Sequence, residues 1–465
     1  MNTLPHWWPP KRDAGEILDP RPANPAPASL SYILQLPDEI LSDAFDYLVG
    51  NDAMWRHTWS PCSVEMDTVT DLLALMFTCR RFLPIADRLL YRSISIHLVP
   101  WSSVSRTFRF YDCLKAHPDR IKYCRELELN QYCRNPSPHD LDTLWTSDSI
   151  LSALSNVRKL ELTWWTTGTV WDTYARISRY MPRLEYLHVM SPCGSSGVVS
   201  LINKSELPDL KTLKLDDTHR GAGASEPIGI DRDKLQKSSV TTLDLGYCVV
   251  YPEPLTSLIQ WPHALETFVF HPMANSTHDL PQDYMNFDML FKMLLPHENS
   301  LRRVELGLLE MKQPEDSVFQ ASRFTNLEHL QFMEHNLSCE PEVAAEALFG
   351  GSLQTLVLDC FIGHCLQNPT ITPQRTEWLE DFVREVGRLP ASSPAKRKII
   401  LEGTGEKWFD CQYPEMKSYP RTLIECLDTV QEIATEVGID FSYVTGADFN
   451  EWYTLNGNDF AYSPS

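Results

Sequence analysis

One six-residue pattern recurs along most of the chain beyond residue 90. It places an apolar residue before two variable positions, a second apolar residue, one variable position and a third apolar residue. Its copies are CRELEL at 124, VRKLEL at 157, LEYLHV at 184, LKTLKL at 210, VTTLDL at 240, LETFVF at 265, LRRVEL at 301, LEHLQF at 327 and LQTLVL at 353. Because strand side chains alternate between faces, the fourth and sixth positions predict a short strand with one buried face.

The spacing of the copies predicts a repeat architecture. Successive starts lie 25 to 36 residues apart, and the shorter gaps fall within the range of leucine-rich repeats. A single strand with its return segment is too small to bury its own apolar face. The copies are therefore expected to stack into a curved parallel sheet with helices on its outer side, which gives an α/β fold class.

Two helix and strand pairs follow the last copy. An amphipathic helix is predicted between Pro373 and Leu389, before an apolar strand at Ile399 to Leu401. A second helix is predicted from about Arg421 to Val437, before a strand at Phe441 to Val444. We expect these elements to shield the open end of the repeat array as a terminal cap.

The first hundred residues follow a different pattern, which is helical. Ile40, Leu41, Ala44, Phe45 and Leu48 recur at the spacing of one helix face, and Pro37 is placed in the first turn. A second helical stretch is predicted from Asp71 to Leu90, with Pro84 kinking or splitting it. The polar segment 51–68 separates the two stretches, and a proline-rich leader, 1–30, precedes them.

Composition narrows the possible functions. The 465 residues carry a formal net charge of −21, which disfavours nucleic acid and anionic lipid as partners. The twelve cysteines show no paired CxxC knuckle or dense disulfide spacing, and no apolar run is long enough for a signal peptide or a membrane span. An intracellular protein, cytoplasmic or nuclear or both, is therefore expected.

The sequence contains no persuasive catalytic or cofactor motif. GxSxG, HExxH and GxxxxGK[ST] are all absent, and GTGEK at 403–407 has the wrong spacing for a phosphate loop. Cys360, His364 and Cys365 form the one candidate metal cluster, although such residues in a repeat protein are more often core or turn fillers. A non-catalytic protein without cofactor or metal is predicted.

The runs LPDEILSDAFDYL at 36–48 and DLLALMFTCRRFLPIADRLLYRSI at 71–94 resemble the F-box, especially its form in fungal proteins. The region behind them resembles the target-binding part of leucine-rich-repeat F-box proteins. The resemblance implies a substrate-recognition subunit of an SCF-type cullin-RING E3 ubiquitin ligase, with a Skp-family adaptor and an unknown target protein as partners. The residues it implies for contacting or supporting the adaptor are Leu36, Pro37, Ile40, Leu41, Leu48, Leu72, Leu75, Cys79 and Phe82.

Two alternatives stay open at this point. The implied adaptor residues could instead pack on the first repeat, and the chain could be a leucine-rich-repeat scaffold or interaction protein that acts outside a ubiquitin ligase. If the repeats do bind a target, the variable strand positions of the concave face would contact it, with two tryptophans adding aromatic area. These residues are Glu128, Glu161, Trp164, Trp165, Tyr186, His188, Lys214, Asp244, Arg303, Glu305, Gln331 and Asp359.

The predicted domain organisation has five segments. They are a disordered leader, 1–30; an F-box-like helical module, 31–95, with the insertion 51–68; irregular leucine-rich repeats, 96–365; a C-terminal cap, 366–450; and a loose tail, 451–465.

Overall fold

The computed structural model describes most of the predicted helices and strands. The described residues are 35–50, 64–98, 116–131, 154–164, 177–190, 195–204, 206–216, 229–248, 252–272, 286–307, 309, 318–333, 337, 339–359, 373–390, 396–402 and 423–443. The predicted leader and tail, Trp165, and the cluster of Cys360, His364 and Cys365 lie outside them. Among these residues, none of the helices is both long and apolar enough to cross a membrane.

The described residues form two compact units. Those up to Ala86 belong to a helical unit, and those from Asp87 onward belong to a sheet unit. Their helices are α1 Asp38–Gly50, α2 Val64–Thr78, α3 Leu83–Leu90, α4 Pro118–Ile121, α5 Ser195–Lys204, α6 Pro252–Gln260, α7 Phe287–Leu294, α8 Pro341–Phe349, α9 Pro373–Arg388 and α10 Leu423–Glu436. Short 3₁₀ turns occur at Arg232–Lys234, Leu295–His297 and Ala321–Arg323.

The sheet unit contains one parallel sheet of twelve strands, and their order in the sheet is their order in the sequence. The α/β class with a parallel sheet is therefore confirmed. The strands are β1 Ser93–Leu98, β2 Glu126–Gln131, β3 Lys159–Trp164, β4 Tyr186–Met190, β5 Thr212–Asp216, β6 Thr242–Cys248, β7 Thr267–Pro272, β8 Arg303–Leu306, β9 His329–Met333, β10 Thr355–Asp359, β11 Lys398–Glu402 and β12 Asp440–Tyr443.

All nine copies of the six-residue pattern form strands, β2 to β10, and both strands predicted after them are present as β11 and β12. The predicted C-terminal helices are confirmed as α9 and α10, with bounds within two residues of those expected. β1 was missed. Its sequence YRSISI repeats the pattern with Tyr91 in the first position, and it pairs with β2 in the same register as the other strands.

The helical elements differ from expectation at their boundaries. α1 begins at Asp38, so Pro37 precedes the helix and its carbonyl accepts the Leu41 N–H at 3.1 Å. α2 begins at Val64, inside the predicted insertion. The second helical stretch divides between α2 and α3, as the proline at position 84 predicts. The sheet unit begins at Asp87, before the predicted end of the helical module at 95, because β1 joins the sheet.

The core of the sheet unit is built from the first, fourth and sixth positions of the pattern. In the copy that begins at residue 210 and contains β5 these are Leu210, Leu213 and Leu215, which are fully buried in one continuous apolar cluster with residues of the helices. Burying one such leucine stabilises the fold by about 1.5–3 kcal/mol. The buried side chains of each copy pack against those of the next copy. The apolar cluster is therefore continuous from β1 to β12.

Side chains immediately before the pattern join successive copies. The Ser239 and Ser300 hydroxyls each donate to the first-position carbonyl of the preceding copy, at 2.8 Å, and the Ser352 hydroxyl does so at 2.9 Å. Each of these hydroxyls thus gives a backbone carbonyl just before a strand a hydrogen-bond donor from the following copy.

His297 fills a similar structural role deep in the core. Its side chain is 2% exposed, its Nε2–H donates to the Ile259 carbonyl at 2.7 Å, and its Nδ1 accepts the Leu265 N–H at 3.3 Å. Burial lowers the pKa of His297 below its ordinary value, and the hydrogen bond to Ile259 offsets only part of this. The neutral ring with its proton on Nε2 satisfies both neighbours.

We expect the stability of the fold to decrease as the pH falls below about 6.5, the ordinary pKa of histidine. A depressed pKa in the folded state means that the unfolded chain binds the proton more readily, so acid favours unfolding. The urea midpoint measured between pH 7.5 and 5.5 should therefore decline, and His297→Gln, which does not titrate, should make the decline shallower. The exposed His117→Gln is the control and should leave the slope unchanged; equal slopes in all three proteins would contradict the assignment.

Candidate protein-binding surfaces

A charged contact and an aromatic contact connect distant parts of the helical unit. The Arg81 guanidinium donates to the Asp38 carboxylate, with Nη2 and Nε 2.7 and 2.9 Å from the same oxygen, and also to the Leu36 carbonyl. The rings of Phe45 and Phe82 meet edge to face at 5.3 Å between centroids. These contacts tie the start and middle of α1 to the link between α2 and α3.

Several large apolar side chains of this unit remain exposed, and we call them the exposed apolar surface. Ile40 is 49% exposed and Tyr47 69%, and their spacing of seven residues places them on the same side of α1. The full set is Leu36, Ile40, Tyr47, Phe77 and Leu83. In the sheet unit, by contrast, the described large apolar side chains that are exposed are Val343 and Val437.

The residues predicted to contact or support an adaptor divide between this surface and the interior of the unit. Leu36, Pro37 and Ile40 are exposed, and Leu75 and Cys79 are half-buried. Leu41, Leu72 and Phe82 are buried, so these three support the surface from within. Leu48 lies in α1, and its side chain is outside the described part of the structure.

Tyr47, Phe77 and Leu83 were missed by the sequence prediction. Phe77, 80% exposed, ends the continuous apolar run from Leu72, and a helix with one buried face has no place for every member of such a run. The presence of more apolar residues in this run than one buried helix face can hold was the sequence feature that indicated an outward-facing part of α2.

The second candidate surface is the side of the sheet that carries the third, fifth and seventh positions of each copy. We call it the polar face. In-register pairing aligns the fifth positions across the strands. Between β3 and β6 this row reads Glu161, His188, Lys214 and Asp244.

Charged groups on β4, β5 and β6 form a connected cluster on this face. The Asp216 carboxylate contacts His188 Nε2 at 2.8 Å and Lys214 Nζ at 3.3 Å. Asp244 lies 3.5 Å from the same ammonium group. One lysine is therefore shared by two carboxylates on neighbouring strands.

Gly246 makes room for this arrangement. A Cβ atom at position 246 would lie 2.0 Å from Asp216 Oδ1, so any larger residue would push the carboxylate away from its partners. Gly307 does the same for His271, whose Nδ1 would lie 2.9 Å from a Cβ at position 307. Both glycines occupy the seventh position of their copy. In each case the seventh-position side chain of the preceding strand lies against the glycine.

The two aspartates experience opposite electrostatic environments. Burial alone would raise the pKa of Asp216, but the hydrogen bond from His188 and the charge of Lys214 lower it below its ordinary value. Burial raises the pKa of Asp244, Lys214 only partly offsets this, and the negative charge of Asp216 adds to the rise. Burial likewise raises the pKa of Tyr186 to about 12, with the charge of Glu161 contributing.

The remaining predicted residues of the face fall into three groups. Glu128 accepts from the Ser95 hydroxyl at 2.8 Å, Glu161 pairs with Lys159 at 2.7 Å, and Arg303 pairs with Glu305. Gln331 and Asp359 are half-buried at the fifth and seventh positions of their strands. Trp164 ends β3, and its side chain is outside the described residues.

His188 is more enclosed than the sequence suggested. Its side chain is buried and hydrogen-bonded to Asp216. It therefore positions that carboxylate on the polar face and has little surface with which to contact a partner. Among the described residues, no group of three or more His, Cys, Asp or Glu side chains could hold a metal ion.

Comparisons with known proteins name no family for this chain. A scan against protein-family models finds no match, and a search of curated proteins finds none either. Among solved structures, the chain is similar at a TM-score of 0.18 and 11% identity to a proposed fructose-1,6-biphosphate aldolase from Coccidioides immitis, over 84% of this chain and 87% of that one. A similarity of this size carries no argument about fold or function.

The paired aspartates give a matched test of the polar face. At pH 7, Asp216→Asn should lower the free energy of unfolding by about 1–3 kcal/mol, because it removes a half-buried, hydrogen-bonded charge. Asp244→Asn should change the free energy of unfolding little or raise it, because burial disfavours the charged form of that carboxylate. Chemical denaturation of both variants measures the difference.

The effect of Asp216 should depend on pH. Its depressed pKa stabilises the fold above about pH 4, the ordinary pKa of aspartate, and this contribution is lost as the pH falls through the lower pKa of the folded state. Equal destabilisation by the two substitutions at pH 7 would contradict the different environments assigned to the two carboxylates.

Proposed function

We propose that the chain is the substrate-recognition subunit of an SCF-type cullin-RING E3 ubiquitin ligase. The helical unit docks a Skp-family adaptor, and the sheet unit holds a target protein. The observation that carries the proposal is the concentration of exposed, large apolar side chains in the helical unit, since a small unit that leaves this much apolar side chain uncovered is suited to contact another protein.

The local structure of the helical unit supports this role. The Leu-Pro-Asp-Glu-Ile start that resembles the F-box presents Leu36 and Ile40 outward, while Arg81 fixes the turn that carries them. A rigid turn reduces the ordering cost that docking would otherwise have. The family likeness and the exposure of these side chains thus point to the same surface.

We further propose that the sheet unit is an irregular leucine-rich-repeat solenoid with a curved sheet. Its strands follow one another in sequence order, and the same three pattern positions are buried in successive copies. Cys248, at the place where such repeats carry Asn or Cys, points its thiol at the Leu215 carbonyl, 3.1 Å away in the preceding copy. Each of these features is expected of a stack of repeats.

The proposed function requires no catalytic side chain from this chain. Holding a target lysine close to a charged ubiquitin-conjugating enzyme raises its effective concentration, and that proximity is the contribution of the subunit. The absence of metal-binding groups among the described residues is compatible with this role and does not test it.

Co-expression with a Skp-family adaptor tests the docking surface. Ile40→Asp should reduce recovery of the adaptor at least tenfold, because a desolvated carboxylate at the interface costs more than the apolar contact it replaces. The matched control is Val343→Asp, which places the same charge at a similarly exposed apolar position of the sheet unit, 46% against 49%. Equal recovery with both variants, or loss with both, would show that the adaptor does not bind here.

A further inference from the structure

The polar face changes character over its last strands. From β2 to β6 the fifth positions carry ionisable side chains, whereas β10 and β11 have Val357 and Ile400 there. The strand sequences TLVLD and KIILE are consequently apolar on both sides of the sheet. Continuous apolar runs of this kind are typical of parallel strands that are covered on both faces.

Two buried side chains agree with a cover over this region. Val357 is 3% exposed, and Met333, at the seventh position of β9, is 5% exposed. Among the described residues from β1 onward, they are the buried apolar side chains that do not belong to the apolar cluster shared with the helices. We call Met333, Val357 and Ile400 the apolar end of the polar face.

Neighbouring strands alone do not account for this burial. Val269 occupies the same position on β7, between carboxylates of β6 and β8, and is only half-buried, although Val357 lies between side chains of similar size. Met190, at the seventh position of β4, is also half-buried, although it stands beside an aspartate as Met333 does. His188 is buried for a different reason, because its ring is hydrogen-bonded within the charged cluster on β4 to β6.

The segment 444–465 is well placed to supply the cover. It follows β12, which pairs with β11, and no described element comes after it to which it must return. The segments 360–372 and 403–422 lead instead to α9 and α10, whose side chains belong to the apolar cluster on the opposite side of the sheet. β12 is three strand spacings from β9, about 14 Å, which about five extended residues cover.

The composition of this segment also suits an apolar surface. It contains no Lys or Arg, and its aromatic residues are Phe449, Trp452, Tyr453, Phe460 and Tyr462. Aromatic side chains bury a large area on packing, and those of Trp and Tyr keep a polar group that can stay in water. Contact with an apolar surface therefore stabilises such a segment.

We propose that residues 444–465 dock on the apolar end of the polar face, where their aromatic side chains cover Met333 and Val357. The inference goes beyond the proposed function and uses no property of the helical unit, so its failure would leave the adaptor proposal intact. Its consequence for the sheet unit is regulatory, because a partner that binds across β9 to β11 would have to displace this segment.

Methionine oxidation by hydrogen peroxide, followed by peptide mass spectrometry on the full chain, tests the inference. Phe449→Ser, Trp452→Ser and Tyr453→Ser together should accelerate the oxidation of Met333 by about fivefold or more, because they remove the cover from its thioether.

Two methionines and a second variant serve as controls. Met190 should keep its oxidation rate, and Met181, which is 0% exposed in the core, should stay protected as evidence that the variant folds. Trp408→Ser, Phe409→Ser and Tyr413→Ser remove the same residue types from the segment 403–422. This second variant should leave the oxidation rate of the β9 methionine within about twofold of the native rate.

Photo-crosslinking tests the position of the segment without disturbing its other aromatic residues. Benzoylphenylalanine introduced at position 452 of the full chain should crosslink to the peptides that contain Met333 or Val357, and the same group at position 8 should not. Crosslinks from position 452 that are confined to other parts of the chain would overturn the inference. So would an unchanged oxidation rate of Met333 in the first variant, or equal acceleration by both variants.

Discussion

A repeated backbone hydrogen bond sets the register of the entire sheet. The second-position N–H of each copy donates to the second-position carbonyl of the copy before it, from Arg125 through to Gln354, at 2.7–3.0 Å. A slip of one residue would turn every buried leucine outward. The burial of three positions in each copy, the alignment of the fifth positions and the polar cluster on β4 to β6 all depend on this register being kept through the eleven strand pairings.

Most of the sheet could be predicted because the pattern that makes a strand here is local. Leu213 and Leu215 identify β5 from six residues alone, and the same holds for β2 to β10. β1 escaped prediction because Tyr91 stands where the other copies have a smaller apolar residue, and because residues 91–94 also end the run that resembles the F-box. The start of α2 escaped because Val64, Met66 and Val69 stand among charged residues and threonines and do not form a continuous apolar stripe at helical spacing.

The candidate surfaces were harder to predict, since exposure depends on contacts between distant parts of the sequence. The apolar spacing of α1 grouped Ile40 with Leu41, yet one is half exposed and the other buried. The pairing of His188 with Asp216 joins positions 28 residues apart, and only the register of β4 on β5 brings them together. The role of Gly246 likewise becomes visible only from the neighbouring strand.

The serine hydroxyls that join successive copies have a consequence for how the protein is made. Each bond reaches back to a segment synthesised 25 to 35 residues earlier, and each strand pairs only with the strands before and after it. Such short-range connections can form while the rest of the chain is still on the ribosome. The order of translation and the order of assembly can therefore coincide. Each newly synthesised strand can pair with the strand before it, which has already folded.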